Sequence, residues 1–258
     1  MTMLSIDTQQ VVPRLRTLES LAIIPRVAST NLIARRIVGE CIENELSLPH
    51  AMIIAGEQFA GRGRNDRQWS SPPGKGIYAT TLLSRPLREL PLVPLGIANI
   101  VASYLIETFA IDARIKWPND VLVGGRKIAG ILIEARIQEE RVFLLIGTGI
   151  NVEPVADDTR PNAVAISEVS PRAFTGIDTA TLAFVEHMDE QLSRPFEHDA
   201  VLARWRELSV HKPGDKIHCV IGTKTISGTW IGIDEHGRAM LNTPDGQTAI
   251  SAGDLFLA

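Results

Sequence analysis

The sequence predicts an α/β fold, a sheet flanked by helices, with a small all-β unit at its C-terminal end. Three observations predict it. Between residues 29 and 208, helix-length amphipathic stretches are interspersed with apolar runs of strand length. Residues 121–128 form a hairpin pattern around Gly124-Gly125, where paired glycines supply the positive φ of a tight turn. After Pro213-Gly214-Asp215 the helical pattern gives way to short strands separated by turns. A chain of 258 residues buries a substantial core and suits one large domain plus a smaller one, expected at 1–208 and 209–258.

Taken in order, Ser29-Thr30-Asn31 before Leu32, Ile33, Ile37 and Val38 predicts an N-capped helix ending near Asn44. Ala51–Ala55 is a short buried strand. Gln58 to Gly76, with four glycines, two prolines and three arginines, is a long irregular loop, and such loops inside compact domains are usually functional or mobile. Ile77–Leu83 is a strand, Leu92–Phe109 a helix with a broad apolar face, and Ile115–Asp120 breaks at Pro118. Ile128–Glu134 and Val142–Val152 continue the sheet. Asp178–Leu192 and Glu197–Leu208 are helices. Lys216–Ile221, Lys224–Ile233, Ala239–Thr243 and Thr248–Ser251 then build a compact β-barrel.

The composition narrows the function classes. A net charge of -4, from 26 basic and 30 acidic residues, lacks the basic surface of a general nucleic-acid binder. Two distant cysteines, Cys41 and Cys219, form neither a disulfide framework nor a zinc spacing, so a reducing compartment is expected. The first residues hold no apolar signal core, and no apolar run approaching the ~20 residues of a membrane span is apparent. The cytoplasm is the simple reading. The six histidines show no metal-ligand spacing, and no nucleophile elbow is present.

Three segments carry chemistry. Gly61-Arg62-Gly63-Arg64, with Arg67 nearby, sets guanidinium forks among residues that expose backbone N–H groups, a match to phosphate or carboxylate. It is neither a dinucleotide fingerprint nor a Walker loop, and taken alone it is equally a solvated flexible segment. Lys116-Trp117-Pro118-Asn119-Asp120 offers side-chain acceptors at a strand end, or an ordinary turn over a buried tryptophan. Lys127 opens an apolar strand, where a lysine is more often a snorkelling surface residue than a catalyst. Gly147-Thr148-Gly149-Ile150-Asn151 invites close approach by a ligand, with Asn151 suited to a purine edge; a glycine bulge beside a turn accounts for it as well.

Together and in this order, these segments resemble the biotin protein ligase family. The matching elements are Ser29-Thr30-Asn31, Gln58 with Gly61-Arg62-Gly63-Arg64, Arg67 and Trp69, Ser71-Pro72, Lys116 to Asp120, Lys127 with Ala129-Gly130-Ile131-Leu132, and Gly147 to Asn151. Trp205 before the small barrel matches too, so the resemblance runs from about Val27 to the C-terminus. It implies a class II synthetase-like α/β (α+β) domain, with a mixed sheet flanked by helices, and an SH3-like C-terminal barrel.

The resemblance also implies a two-step reaction: biotin and ATP give biotinyl-AMP and pyrophosphate, then a lysine of a biotin carboxyl carrier domain takes the biotin and releases AMP. Such steps need fixed positive groups and backbone donors. By motif, Ser29, Thr30, Asn31 and Gln58 would hold biotin's polar head, with Arg62, Gly63, Arg64 and Lys127 completing its site. Arg64, Arg67, Trp69, Lys116, Asn119, Lys127 and Asn151 would bind ATP and the adenylate. Lys127, Arg64 and Asp120 would be catalytic, and Asp120 is the candidate ligand for the Mg²⁺ that ATP implies. Asp66 departs from the family loop, which usually has glycine there, so altered loop geometry and weaker retention of the intermediate are expected. Only 28 residues precede Ser29, Pro13 among them, so no winged helix-turn-helix and no operator binding are expected. A homodimer through a sheet edge is possible. A lipoate or octanoyl ligase-type enzyme shares the scaffold, but the GRGR loop, the KWPND segment and the barrel favour biotin. A non-catalytic biotin-binding protein is the third alternative.

Overall fold

The computed structural model of the chain describes residues 4–65, 67–155 and 162–257. In chain order the elements are α1 (Thr8–Val11), β1 (Ser20–Ile24), α2 (Thr30–Glu43), β2 (Ala51–Ala55), β3 (Gly76–Pro86) and α3 (Val93–Phe109), the last entered through a 3-10 turn at Leu87–Leu92. Next come β4 (Arg114–Lys116), β5 (Asp120–Val123), β6 (Arg126–Gln138), β7 (Arg141–Asn151), α4 (Ile166–Val169), α5 (Ile177–Leu192) and α6 (His198–Leu208). The chain closes with β8 (Lys216–Ile221), β9 (Lys224–Ile233), β10 (Ala239–Thr243), β11 (Gly246–Ile250) and β12 (Asp254–Leu257).

Two sheets result. The first has seven strands in the order β1-β2-β3-β7-β6-β5-β4. It is mixed, as expected, because β1 and β2 run parallel while β3, β7, β6, β5 and β4 follow in antiparallel pairs. The second is antiparallel, in the order β11-β10-β9-β8-β12. Period-two alternation sorts the large sheet into two faces. Ile53, Leu82, Phe143 and Leu145 pack beneath Ala34, Val38 and Cys41 of α2. Met52, Ile54, Ala79, Leu83, Leu144 and Ile146 face the larger cluster that holds α3, α5 and α6. With both faces covered, β2 and the body of β3 and β7 are buried throughout.

The structure departs from the sequence expectations in places. Ser29 stands at the N-cap of α2 in extended geometry, yet its side chain makes no capping hydrogen bond. Strands β1 and β12 have no counterpart in the sequence reading, since five- and four-residue edge segments carry little periodicity. Residues Leu87–Phe109 are helical over 23 residues, long and apolar enough to cross a membrane by length and composition. That corrects the reading that no such run exists. The apolarity follows from packing, because α3 lies against the sheet, α5 and α6 and must be apolar nearly all round.

Two tertiary ties matter for the site. Asp189 on α5 is buried and accepts the backbone N–H groups of Arg16, Thr17 and Leu18 at 2.7, 2.8 and 2.8 Å, docking the N-terminal segment. The second sheet is joined to the first by one continuous hydrophobic cluster. Trp117 donates from Nε1 to the Gly237 carbonyl at 3.1 Å, and Val210 N donates to Ile115 O at 2.9 Å.

Candidate active site

A cavity of about 230 Å³ opens on the α2 face of the large sheet, where α2 begins. Its floor is made by glycines. Gly130 on β6 lies directly opposite Gly149 on β7, and Gly147 lies opposite Leu132 and Thr80. At Gly147, Gly149 and Gly130 a Cβ would collide with Asn31 or with the ring of Trp69. The sheet is bare here because side chains from elsewhere lie directly on its backbone. The indole of Trp69 rests on the Gly130–Gly149 pair, so the close approach inferred from this glycine run is made by the protein's own tryptophan.

One end of the cavity is neutral and hydrogen-bonding. Gln58 Oε1 accepts from the Thr30 backbone N–H at 2.9 Å and lies 3.2 Å from the Thr30 hydroxyl, while Gln58 Nε2 donates to Ser71 Oγ at 3.0 Å. Thr80 Oγ1 lies 2.7 Å from Thr30 Oγ1 and 2.6 Å from Asn31 Oδ1. Ser29, Thr30 and Asn31 are all buried, and Asn31 Nδ2 is a buried donor with no partner among the described residues. An unmet buried donor is costly, and a ligand acceptor is one way to meet it.

The other end is cationic. Lys127 Nζ sits 2.6 Å from Asp120 Oδ1 and 5.3 Å from the centre of the Trp69 ring, held between a carboxylate and a π face. Arg64 donates from Nη1 to Asn119 Oδ1 at 2.9 Å, and Asn119 Nδ2 donates to the Ile131 carbonyl at 2.7 Å. The guanidinium is therefore braced by the segment after Pro118. Arg62, Gly63 and Arg67 line the same cavity. The loop that carries them is ordered by bridges Arg62–Gln68 and Gln58–Ser71, and by a turn in which Arg67 N donates to Arg64 O at 3.1 Å.

The fold thus gathers most of the sequence candidates on one wall, and leaves two outside it. Lys116 points its ammonium over the Phe256 ring at 4.9 Å. Asn151 spends its Nδ2 on the carbonyls of Lys127 and Val164, both at 3.2 Å, clasping the start of β6 to the segment that follows β7. Asp66 lies outside the described residues. Among the described residues no group of three or more His, Cys, Asp or Glu side chains could hold a metal ion. Asp120, the candidate Mg²⁺ ligand, faces Lys127.

Thr80 and Asp254 escaped the sequence reading. Thr80 has no signal beyond being small and polar. Asp254, at the start of β12, lines the cavity from the second sheet and faces Arg64 and Arg67.

Comparison with known proteins gives a consistent result. The model of the biotin/lipoate A/B protein ligase family matches residues 28–151, and that of the biotin protein ligase C-terminal domain matches residues 218–257. The chain is 32% identical to the biotin–[acetyl-CoA-carboxylase] ligase of Paracoccus denitrificans, over 80% of this chain and 90% of that protein. It is 31% identical to the bifunctional ligase/repressor BirA of Bacillus subtilis over 80% of this chain, a match that takes in 66% of that longer protein. Among solved structures, a biotin protein ligase from Aquifex aeolicus in complex with biotin and ATP superposes with a TM-score of 0.70 at 25% identity, covering 93% of this chain and 99% of that one.

Proposed function

The chain belongs to the biotin protein ligase family, and on that premise we propose that it activates biotin with ATP and transfers it to a lysine of a carboxylase's biotin carboxyl carrier domain. One observation supports this above the rest: a single cavity joins a neutral cradle at Ser29–Asn31 and Gln58 to a cationic end at Arg64, Arg67 and Lys127. Biotin has the same polarity, a neutral ureido head that needs donors and acceptors and a carboxylate tail that needs cations.

In the first step the biotin carboxylate oxygen attacks the α-phosphorus of ATP. A C–O–P anhydride forms and the bond to pyrophosphate breaks. In the second, the carrier's lysine amine attacks the anhydride carbonyl, the amide forms, AMP departs, and the amine's proton goes to a base. Ser29, Thr30, Asn31 and Gln58 hold the ureido head, Asn31 Nδ2 finding its missing acceptor there. Arg62, Gly63 and Arg64 bind along the carboxylate and phosphate. Lys127 and Arg64 offset charge developing at the α-phosphate, fixed in place before reaction. Asp120 takes the proton of the incoming amine. Trp69 covers the adenylate and excludes water from a hydrolysable anhydride. Arg67 and Asn119 complete the nucleotide side, with Asn119 bracing Arg64. Asn151 contributes from outside the wall by holding the Lys127 backbone. The Mg²⁺ of ATP would be carried chiefly by phosphates and water, with Asp120 as a cavity-lining carboxylate that could join them.

Pyrophosphate exchange into ATP, run with biotin, with lipoate and with no acid, tests the reading. Exchange with biotin alone is the expected result. Exchange with lipoate alone would assign the chain to the lipoyl branch, and tight biotin binding without exchange would make it a binding protein.

A further inference from the structure

The loop that carries Arg64 and Arg67 is docked onto a receptor built by the opposite end of the chain. Arg67 Nη2 contacts Asp254 Oδ2 directly, and Arg64 Nη1 lies 3.7 Å from Asp254 Oδ1. Arg64 Nη2 also donates to the Gly253 carbonyl at 3.2 Å, and Asn65 Nδ2 to Asp254 Oδ2 at 3.4 Å. Three side chains of one turn thus converge on two consecutive residues some 187 to 189 positions away.

Both halves are shaped for this. On the loop, Gly63 N donates to Arg67 O at 2.7 Å and Arg67 N to Arg64 O at 3.1 Å, while Asn65 takes a left-handed φ of 53°. Asparagine tolerates that conformation, and the tight turn sends Arg64, Asn65 and Arg67 to Asp254. On the receptor, Gly253 has φ 149°, and a Cβ there would lie 2.6 Å from Cys219 Sγ. Asp254 pairs with Val220 and Leu255 with Cys219, and Leu255 is fully buried, so the register of β12 is locked. The Asp254 side chain is only 15% exposed, against 63% for Arg67. The carboxylate is therefore the fixed partner and the arginine the one that is held.

We propose that Asp254 is a positioning residue for the nucleotide: it is the counter-ion that keeps Arg64 and Arg67 convergent on the cavity before ATP arrives. Two guanidinium groups brought this close repel, and without an anion between them the loop would spread them apart. With the carboxylate in place, the cost of ordering the loop is met in the free protein, and ATP meets a preformed site. The inference rests on the nucleotide role assigned above to Arg64 and Arg67.

The test is Asp254→Asn in biotin-dependent pyrophosphate exchange, with ATP and biotin varied separately. The apparent KM for ATP should rise about tenfold, the scale of one lost charge-assisted contact, while the KM for biotin, whose carboxylate meets Arg64 but not Arg67, rises less. Asp254→Glu should recover part of the loss. Arg67→Ala combined with Asp254→Asn should cost little more than Arg67→Ala alone. An unchanged or lowered KM for ATP, an equal rise for both substrates, or additive effects in the double variant would each overturn the proposal. If Asp254→Asn does not fold, Asp254→Glu and its cycle with Arg67→Ala decide by the same readings. Wild-type exchange is the control: if it is absent, the ligase reading fails, whereas active wild type with an indifferent Asp254→Asn sinks this inference alone.

Discussion

At the scale of single residues, the cavity depends on groups held by partners rather than on unusual side chains. Lys127 is fixed by Asp120 and the Trp69 ring, and Arg64 by Asn119. On the function proposed above, truncating either cation removes preorganised charge at the reacting centre. Lys127→Ala and Arg64→Ala should each lower biotin-dependent exchange about a hundredfold or more, with an unchanged circular dichroism spectrum; near wild-type turnover would reject the assignment. Gly149→Ala asks a different question. Its new Cβ would overlap the Trp69 ring, so the indole must leave the floor, and overpacking of this kind costs roughly 1–3 kcal/mol. The expected outcome is a shifted tryptophan emission maximum with a raised KM for ATP, and identical emission in the variant would mean that Trp69 does not rest there in solution. Much of this site was legible beforehand, because Gly61 to Arg64, Lys116 to Asp120 and Lys127 are contiguous motifs. Thr80 and Asp254 were not, since each acquires its role from a partner distant in sequence.

At the scale of elements, α2 and α5 show why local pattern predicts an element but not its use. The run from Ser29 to Asn44 announces a helix, and the helix is there. Yet Ser29 makes no cap bond, and this buried residue lines the cavity instead. Helix α5 was equally visible, but nothing marks Asp189 as the acceptor for three backbone donors of the segment before β1. Removing that carboxylate strands those donors, so Asp189→Ala should cost about 3 kcal/mol and lower Tm by roughly 6–10 °C. A thermal melt within a degree of wild type would show that water replaces the carboxylate without loss. Strands β1 and β12 escaped detection because short edge segments are defined by their neighbours' hydrogen bonds, not by their own alternation.

At the scale of the whole molecule, the two sheets share one hydrophobic cluster, and His211 sits in their seam. Its ring stacks on Trp230 at 4.9 Å, and neither ring nitrogen has a partner among the described residues. Burial first, and then the charge of Lys116, press its pKa down to about 4, with Asp215 opposing. The unfolded chain therefore takes up this proton before the folded one does. Its contribution to stability is complete above about pH 6.5 and is lost as the pH falls toward about 4, roughly 3 kcal/mol in all. Urea unfolding at pH 7 and pH 5 should show about 2 kcal/mol of that loss in the wild type and less in His211→Phe. Equal slopes with pH in the two proteins would remove His211 from the account.

By itself the sequence determined the α/β class, the C-terminal β unit, most helices and inner strands, and the loop and lysine of the site. These are carried by periodicity, turn glycines and contiguous motifs, all local in the chain. Only the tertiary structure decided that Trp69 lies on a glycine floor, that Asn151 clasps the Lys127 backbone, and that Asp254 faces the two loop arginines. Those contacts join positions as much as 190 residues apart, and they exist because strand register and a shared core bring the two ends of the chain to one cavity. No local pattern encodes such a meeting, since its energy arises between surfaces that are formed only when the sheets have packed.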